Sequence, residues 1–120
     1  MLLRFWTRAI HCPNELVKDI MERDLNLDEQ VVATESLAFI KDYELALLII
    51  RHQLENTHAI VVEAALVALR AIFWRLQEPI DITTAISISR INNQELSPYA
   101  YETLQDLLIE NARQIGYKNK

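Results

Sequence analysis

The chain has very little of what tight turns require, since its 120 residues include one glycine and three prolines. All-β folds depend on many such turns, and glycine supplies the backbone conformations that they need. The shortage argues against an all-β fold and predicts an all-helical protein. It also leaves no glycine-rich loop of the kind that nucleotide-hydrolysing domains use to hold phosphate.

Cysteine is scarce as well, and acidic residues outnumber basic ones by 17 to 12. Cys12 is the only cysteine, so no internal disulfide forms and we expect a cytoplasmic protein. The formal net charge of −5 provides no general basic field for a phosphate backbone, which disfavours nucleic-acid binding. A local patch of Arg4, Arg8 and Arg70 or Arg75 keeps a nucleic-acid-binding helical repeat protein open as an alternative.

Long hydrophobic runs are missing too. The apolar run at 45–50 has only six residues, and the longer stretch at 59–74 contains Glu63 and Arg70. Both fall short of the roughly 20 apolar residues that cross a bilayer. We therefore predict buried helices and no membrane span.

What is present is the composition of one globular domain over residues 1–120, with 51% hydrophobic and 24% charged residues. Apolar periodicity and helix-stop signals predict seven helices. The predicted helices cover approximately residues 2–10, 14–25, 29–40, 43–54, 59–76, 82–91 and 98–115.

Several residues mark the ends of these helices. Asp28, Asp42 and Asp81 are placed as N-caps, where a carboxylate accepts hydrogen bonds from free backbone amides. Ser97 is followed by proline, a strong start signal, and Gly116 suits a left-handed stop. The asparagines at 92 and 93 predict a turn.

The segment 82–89 has two interpretations. Its β-branched residues are compatible with a strand. Ile82, Ala85 and Ile86, however, share one helical face, and a single strand would have no pairing partner. We predict a helix.

The most informative pattern lies at 59–72, where Val61, Ala64, Ala68, Leu69 and Ile72 recur at helical spacing. Small residues at two of these positions allow a neighbouring helix to approach closely, and the larger ones fill the groove between the helices.

A weaker copy follows thirty-six residues later, with Ala100, Leu104 and Leu108. The pattern resembles the first helix of a HEAT-type repeat, in particular the compact bacterial repeats that are shorter than the usual roughly 40 to 47 residues. The resemblance covers about residues 28–108. It implies a short α-solenoid of antiparallel helix pairs over 28–116, capped by helices in 1–27. An irregular helical bundle is the alternative.

HEAT-like proteins are mostly scaffolds and adaptors that bind proteins along a concave face lined by the second helix of each pair. The resemblance therefore implies a protein-binding adaptor without catalysis, cofactor or metal; His11 and Cys12 lack the further ligands of a metal site. Some bacterial relatives are phycobilin lyase subunits, so an assembly factor or lyase-like accessory for a chromophore protein is a second alternative.

The resemblance also indicates which residues would form the concave face, although a merely solvated face fits the same pattern. These residues belong to the two second helices: Glu44, Arg51, His52, Glu55, Thr84, Ser87 and Arg90.

A further contact surface is predicted at the carboxyl-terminal end, where the third unit has no second helix. The stripe formed by Leu104, Leu107, Leu108 and Ile115 would then be incompletely covered. We expect this end to support partner docking or a homodimer, with Tyr101 as a possible aromatic anchor.

Overall fold

The computed structural model describes residues 2–22, 24–89, 91 and 96–118, and the described residues are helical and contain no strand. The expected all-α class is confirmed, and 82–89 is helical. In chain order the helices are α1 (Leu2–His11), α2 (Pro13–Glu22), α3 (Leu27–Ser36), α4 (Tyr43–Leu54), α5 (Ala59–Leu76), α6 (Ile82–Ser89) and α7 (Pro98–Lys118). A 3₁₀ turn at Leu37–Phe39 follows α3.

Three of the predicted caps form. Asp42, Asp81 and Ser97 each accept a hydrogen bond from the backbone amide three residues ahead, at 3.2, 2.8 and 3.2 Å. Each bond satisfies an amide that has no partner inside its own helix. These local signals therefore place the starts of α4, α6 and α7.

Two other end signals are wrong. Asn26, not Asp28, caps α3: its side chain accepts from the amide of Glu29 at 2.9 Å, and the Glu29 carboxylate accepts from the amide of Asn26 at 3.2 Å. Gly116 does not stop α7, which continues to residue 118. Gln77, directly after α5, instead has the left-handed conformation, at φ 54°.

Three helices are shorter than predicted. Helix α2 ends at Glu22, and α3 begins at Leu27. Helix α3 gives way to the 3₁₀ turn, and α6 ends at Ser89. The predicted turn at 92–93 lies outside the described residues.

Helix α5 is the centre of the packing. It lies against α3, α4 and α7, while α4 also contacts α6, and α1 and α2 pack on each other and on α3. Leu66, Leu69 and Ile72 are at most 1% exposed. Burial of each such side chain contributes roughly 1.5–3 kcal/mol. Ala64 and Ala68 are also buried, as the pattern at 59–72 predicts.

Buried polar contacts also join neighbouring helices. The Gln53 amide of α4 donates to the Thr34 hydroxyl of α3 at 2.9 Å, with both side chains buried. Arg8 of α1 binds the fully buried Asp19 of α2. Because an unpaired buried polar group is costly, each contact favours one arrangement of its two helices.

Candidate protein-binding face

Helix α4 presents a mixed stripe to solvent. Glu44, Leu48, His52 and Glu55 recur every three or four residues and are all exposed, which places them on one side of the helix. Leu48 is 53% exposed. An apolar side chain therefore lies in the middle of a stripe that is otherwise charged or polar.

Helix α6 lies beside α4 and adds two more exposed apolar residues. Ile82 is 79% exposed and Ile86 is 46% exposed, and their four-residue spacing puts them on the same side of the helix. Leu48 and Ile86 line the same groove. Clustered apolar exposure of this kind is typical of an interaction surface, whereas single exposed residues are common.

The groove between the two helices has a volume of about 450 Å³. It brings together four of the residues predicted from sequence with three that were not predicted. Its lining is Leu48, Arg51, His52, Glu55, Thr83, Ile86 and Ser87.

Leu48 and Ile86 were missed because apolar residues on amphipathic helices were assigned to the core. The signal that could have found Leu48 is its position, four residues after Glu44 and four before His52, inside the polar stripe of α4. For Ile86 no comparable signal exists, since α6 contains no charged residue.

Arg51 and Thr84 form the connection beneath this face. The guanidinium of Arg51 donates to the Thr84 hydroxyl at 3.3 Å and lies 3.8 Å from a carboxylate oxygen of Asp81. The Thr84 hydroxyl in turn donates to Asp81 at 2.8 Å. The expectation that Thr84 lines the surface is wrong, because its side chain is fully buried. Its hydroxyl instead bonds to Asp81, the residue that caps α6.

Glu44 lies on a neighbouring groove of about 490 Å³, on the other side of Arg51. Glu44, Glu78 and Asp81 supply carboxylates to its lining. Its apolar part includes the buried side chains of Leu69 and Phe73. The predicted residues of α4 are thus divided between two adjoining grooves that share Arg51. Arg90 lies outside the described residues.

Helix α7 exposes a separate stripe, the carboxyl-terminal stripe, formed by Tyr101, Leu108 and Ile115. These residues are 57%, 44% and 43% exposed, and their seven-residue spacing places them on one side of the helix. Leu104 and Leu107, which were expected to share this partial exposure, are 5% and 0% exposed because they face the core. Tyr101 and Leu108 therefore belong to a surface distinct from the buried side of α7.

The four arginines considered as a basic patch all contact acceptors of their own chain. A phosphate group would have to compete with these contacts. The acceptors of Arg4, Arg8, Arg70 and Arg75 are, respectively, Glu29, Asp19, the Tyr99 hydroxyl and the Ala38 carbonyl oxygen.

Within the described ranges, His, Cys, Asp and Glu side chains nowhere form a group of three or more that could hold a metal ion. Over the same residues, no helix combines the length and apolarity that crossing a bilayer requires. No protein-family model, curated protein or solved structure matches the chain. The surfaces just described are therefore the basis for a functional proposal.

Proposed function

We propose that this chain is a non-catalytic, protein-binding adaptor whose docking surface is the α4–α6 face, defined as the exposed side of α4 and α6 with the groove between them. The observation that carries the proposal is the exposure of Leu48, Ile82 and Ile86 on two adjacent helices. Protein interfaces characteristically combine such an apolar centre with a polar rim, which Glu44 and Glu55 provide here.

The packing of the helices supports a short HEAT-like array. Helix α3 packs on α5 and α5 on α7, while α4 packs beside α6. The stacking of α3, α5 and α7 is expected if these are first helices, and the contact of α4 with α6 is expected if these are second helices. The repeat positions Ala64, Ala68, Ala100 and Leu104 are all at most 5% exposed, so two of the three pairs of corresponding residues in α5 and α7 agree in burial. The third pair differs, because Ile72 is 1% and Leu108 44% exposed.

In such an array the α4–α6 face is the side lined by second helices, where an adaptor binds its partner. The contacts of Arg51 with Asp81 and Thr84 support this assignment, because they attach the start of α6 to α4. A surface formed by two short helices needs such a connection to keep its shape when a partner binds.

The test is site-specific photocrosslinking in the native cell. A photoreactive amino acid at position 48 is expected to yield a defined adduct with one partner. The control is position 60, because Ile60 is apolar and 46% exposed on α5. The adduct from position 48 should disappear when Ile86→Asp is added to the same chain. Equal adducts from both positions, or none from position 48, would contradict the proposed docking face.

The carboxyl-terminal stripe supports a second contact, the association of two copies through α7. Gln105 and Ala112 lie on the same side of the helix as the stripe, and none of these five positions is charged. An uncharged apolar stripe is compatible with a copy of itself, because no like charges meet. Sedimentation should show a concentration-dependent dimer that Leu108→Asp abolishes and Glu102→Gln, at an exposed position, does not. A monomer at all concentrations would refute this contact.

A further inference from the structure

The α4–α6 face carries unbalanced negative charge at both ends of α4. Glu44 and Glu55 are exposed, and neither pairs with a cation among the described residues. They are eleven residues apart, which is about three helical turns or roughly 16 Å. Arg51, the cation between them, is already occupied by Asp81.

Glu55 stands where a carboxylate is locally unfavourable. It is the C-cap residue of α4, and the carboxyl end of a helix carries partial negative charge. A cation bound beside Glu55 would interact favourably with both the side chain and the helix end. This position therefore gains more from a cationic partner than an ordinary surface glutamate would.

The shape and lining of the groove restrict the form of the partner. Peptide segments are commonly recognised by adding a strand to a sheet edge, by aromatic grooves that hold proline-rich segments, by arginine clusters, or by apolar grooves that hold a helix. The described residues contain no sheet, the groove lining contains no Phe, Tyr or Trp, and its arginine is paired. A groove between two helices, with Leu48 and Ile86 as its apolar residues, fits the last of these modes.

We infer that the partner presents an amphipathic α-helix whose apolar side covers Leu48 and Ile86 and whose Lys or Arg side chains, about three turns apart, meet Glu44 and Glu55. This inference rests on the proposed function and names the partner class of the same face. Apolar contact supplies most of the affinity, and the charge pairs fix the orientation of the helix and accelerate its association.

The probes are two synthetic helical peptides with the same apolar side, one with lysines at two positions three turns apart and one with glutamates there. Fluorescence anisotropy at low salt measures their binding to the intact chain. The lysine peptide should bind about tenfold more tightly, as expected for two exposed ion pairs. The difference should shrink at high salt, because screening weakens exposed charge pairs.

Charge reversal on the protein gives the decisive comparison. The double variant Glu44→Lys with Glu55→Lys should prefer the glutamate peptide. The control is Glu22→Lys with Glu102→Lys, which changes the net charge equally at exposed positions on α2 and α7. This control should keep the original preference, so an effect of overall charge alone is separated from local pairing.

The two proposals fail in different ways. If both peptides bind equally and Leu48→Asp abolishes both, the docking face stands and the inference about cations is wrong. If neither peptide binds, or if the control variant reverses the preference as strongly as the double variant, the inference is also overturned. The docking face itself fails on the crosslinking result at position 48.

Discussion

Replacing Ala68 with leucine tests whether close helix packing around α5 depends on its small residues. Ala68 is 1% exposed and belongs to the same core cluster as Leu69 and Ile72. Leucine adds three carbon atoms at a site with no free space towards solvent, and such overpacking typically costs about 1–3 kcal/mol. For a domain of this size, the cost corresponds to a fall in Tm of roughly 4–12 °C.

The matched control is Ala71→Leu, the same change on the same helix at an exposed position. Alanine and leucine have similar helix propensities, so this variant should remain within about 0.5 kcal/mol of the native chain. Urea unfolding followed by circular dichroism measures both free energies of unfolding. If Ala68→Leu is as stable as Ala71→Leu, the small residues do not set the helix spacing, and the interpretation of the 59–72 pattern is wrong.

Three further predictions concern polar groups. Thr34→Val should cost about 1–3 kcal/mol because it leaves the buried Gln53 amide without its acceptor, whereas adding Gln53→Leu should restore most of the loss in a urea double-mutant cycle. Arg8→Ala should cost about 1–3 kcal/mol in the same assay, because it removes a charged hydrogen-bond partner from the fully buried Asp19; a loss below about 0.5 kcal/mol, as for an ordinary surface substitution, would contradict this. Burial raises the pKa of Glu35, so the folded state favours its protonated form. The contribution of Glu35 to folding stability is therefore fully present at acid pH and is lost as the pH rises through the raised pKa. Glu35→Gln should therefore raise the Tm at pH 7 and leave it unchanged near pH 3. The gain in the free energy of unfolding at pH 7 should be less than about 1 kcal/mol, because the side chain still contacts water. A Tm shift of equal size at both pH values would refute burial of the carboxylate as the cause.

The parts of the fold that follow from neighbouring residues were predictable from sequence. Asp42 and Ser97 cap helices through hydrogen bonds that span only three residues. The buried side of α5 is visible in its apolar periodicity, because Ala64 and Ala68 face the core as the helical spacing requires. Where two local solutions compete, sequence is less decisive: Asn26, two residues before Asp28, takes the cap of α3.

The features that depend on distant contacts were not predictable. Thr84 is buried because Arg51, thirty-three residues earlier, reaches its hydroxyl. Leu48 is exposed because no described helix covers that side of α4. Which apolar residue remains exposed depends on the arrangement of the whole chain and cannot be read from its own helix.

The most direct test of the docking face is a map of backbone amide shifts, by ¹H–¹⁵N NMR, as the lysine peptide is titrated into the intact chain. We predict that the largest shifts occur at residues 44–55 and 82–87, and that Leu48→Asp removes them while the Glu22→Lys and Glu102→Lys control retains them. Shifts concentrated on α1 or α7, or shifts that Leu48→Asp leaves unchanged, would contradict the assignment of the α4–α6 face as the site of partner binding.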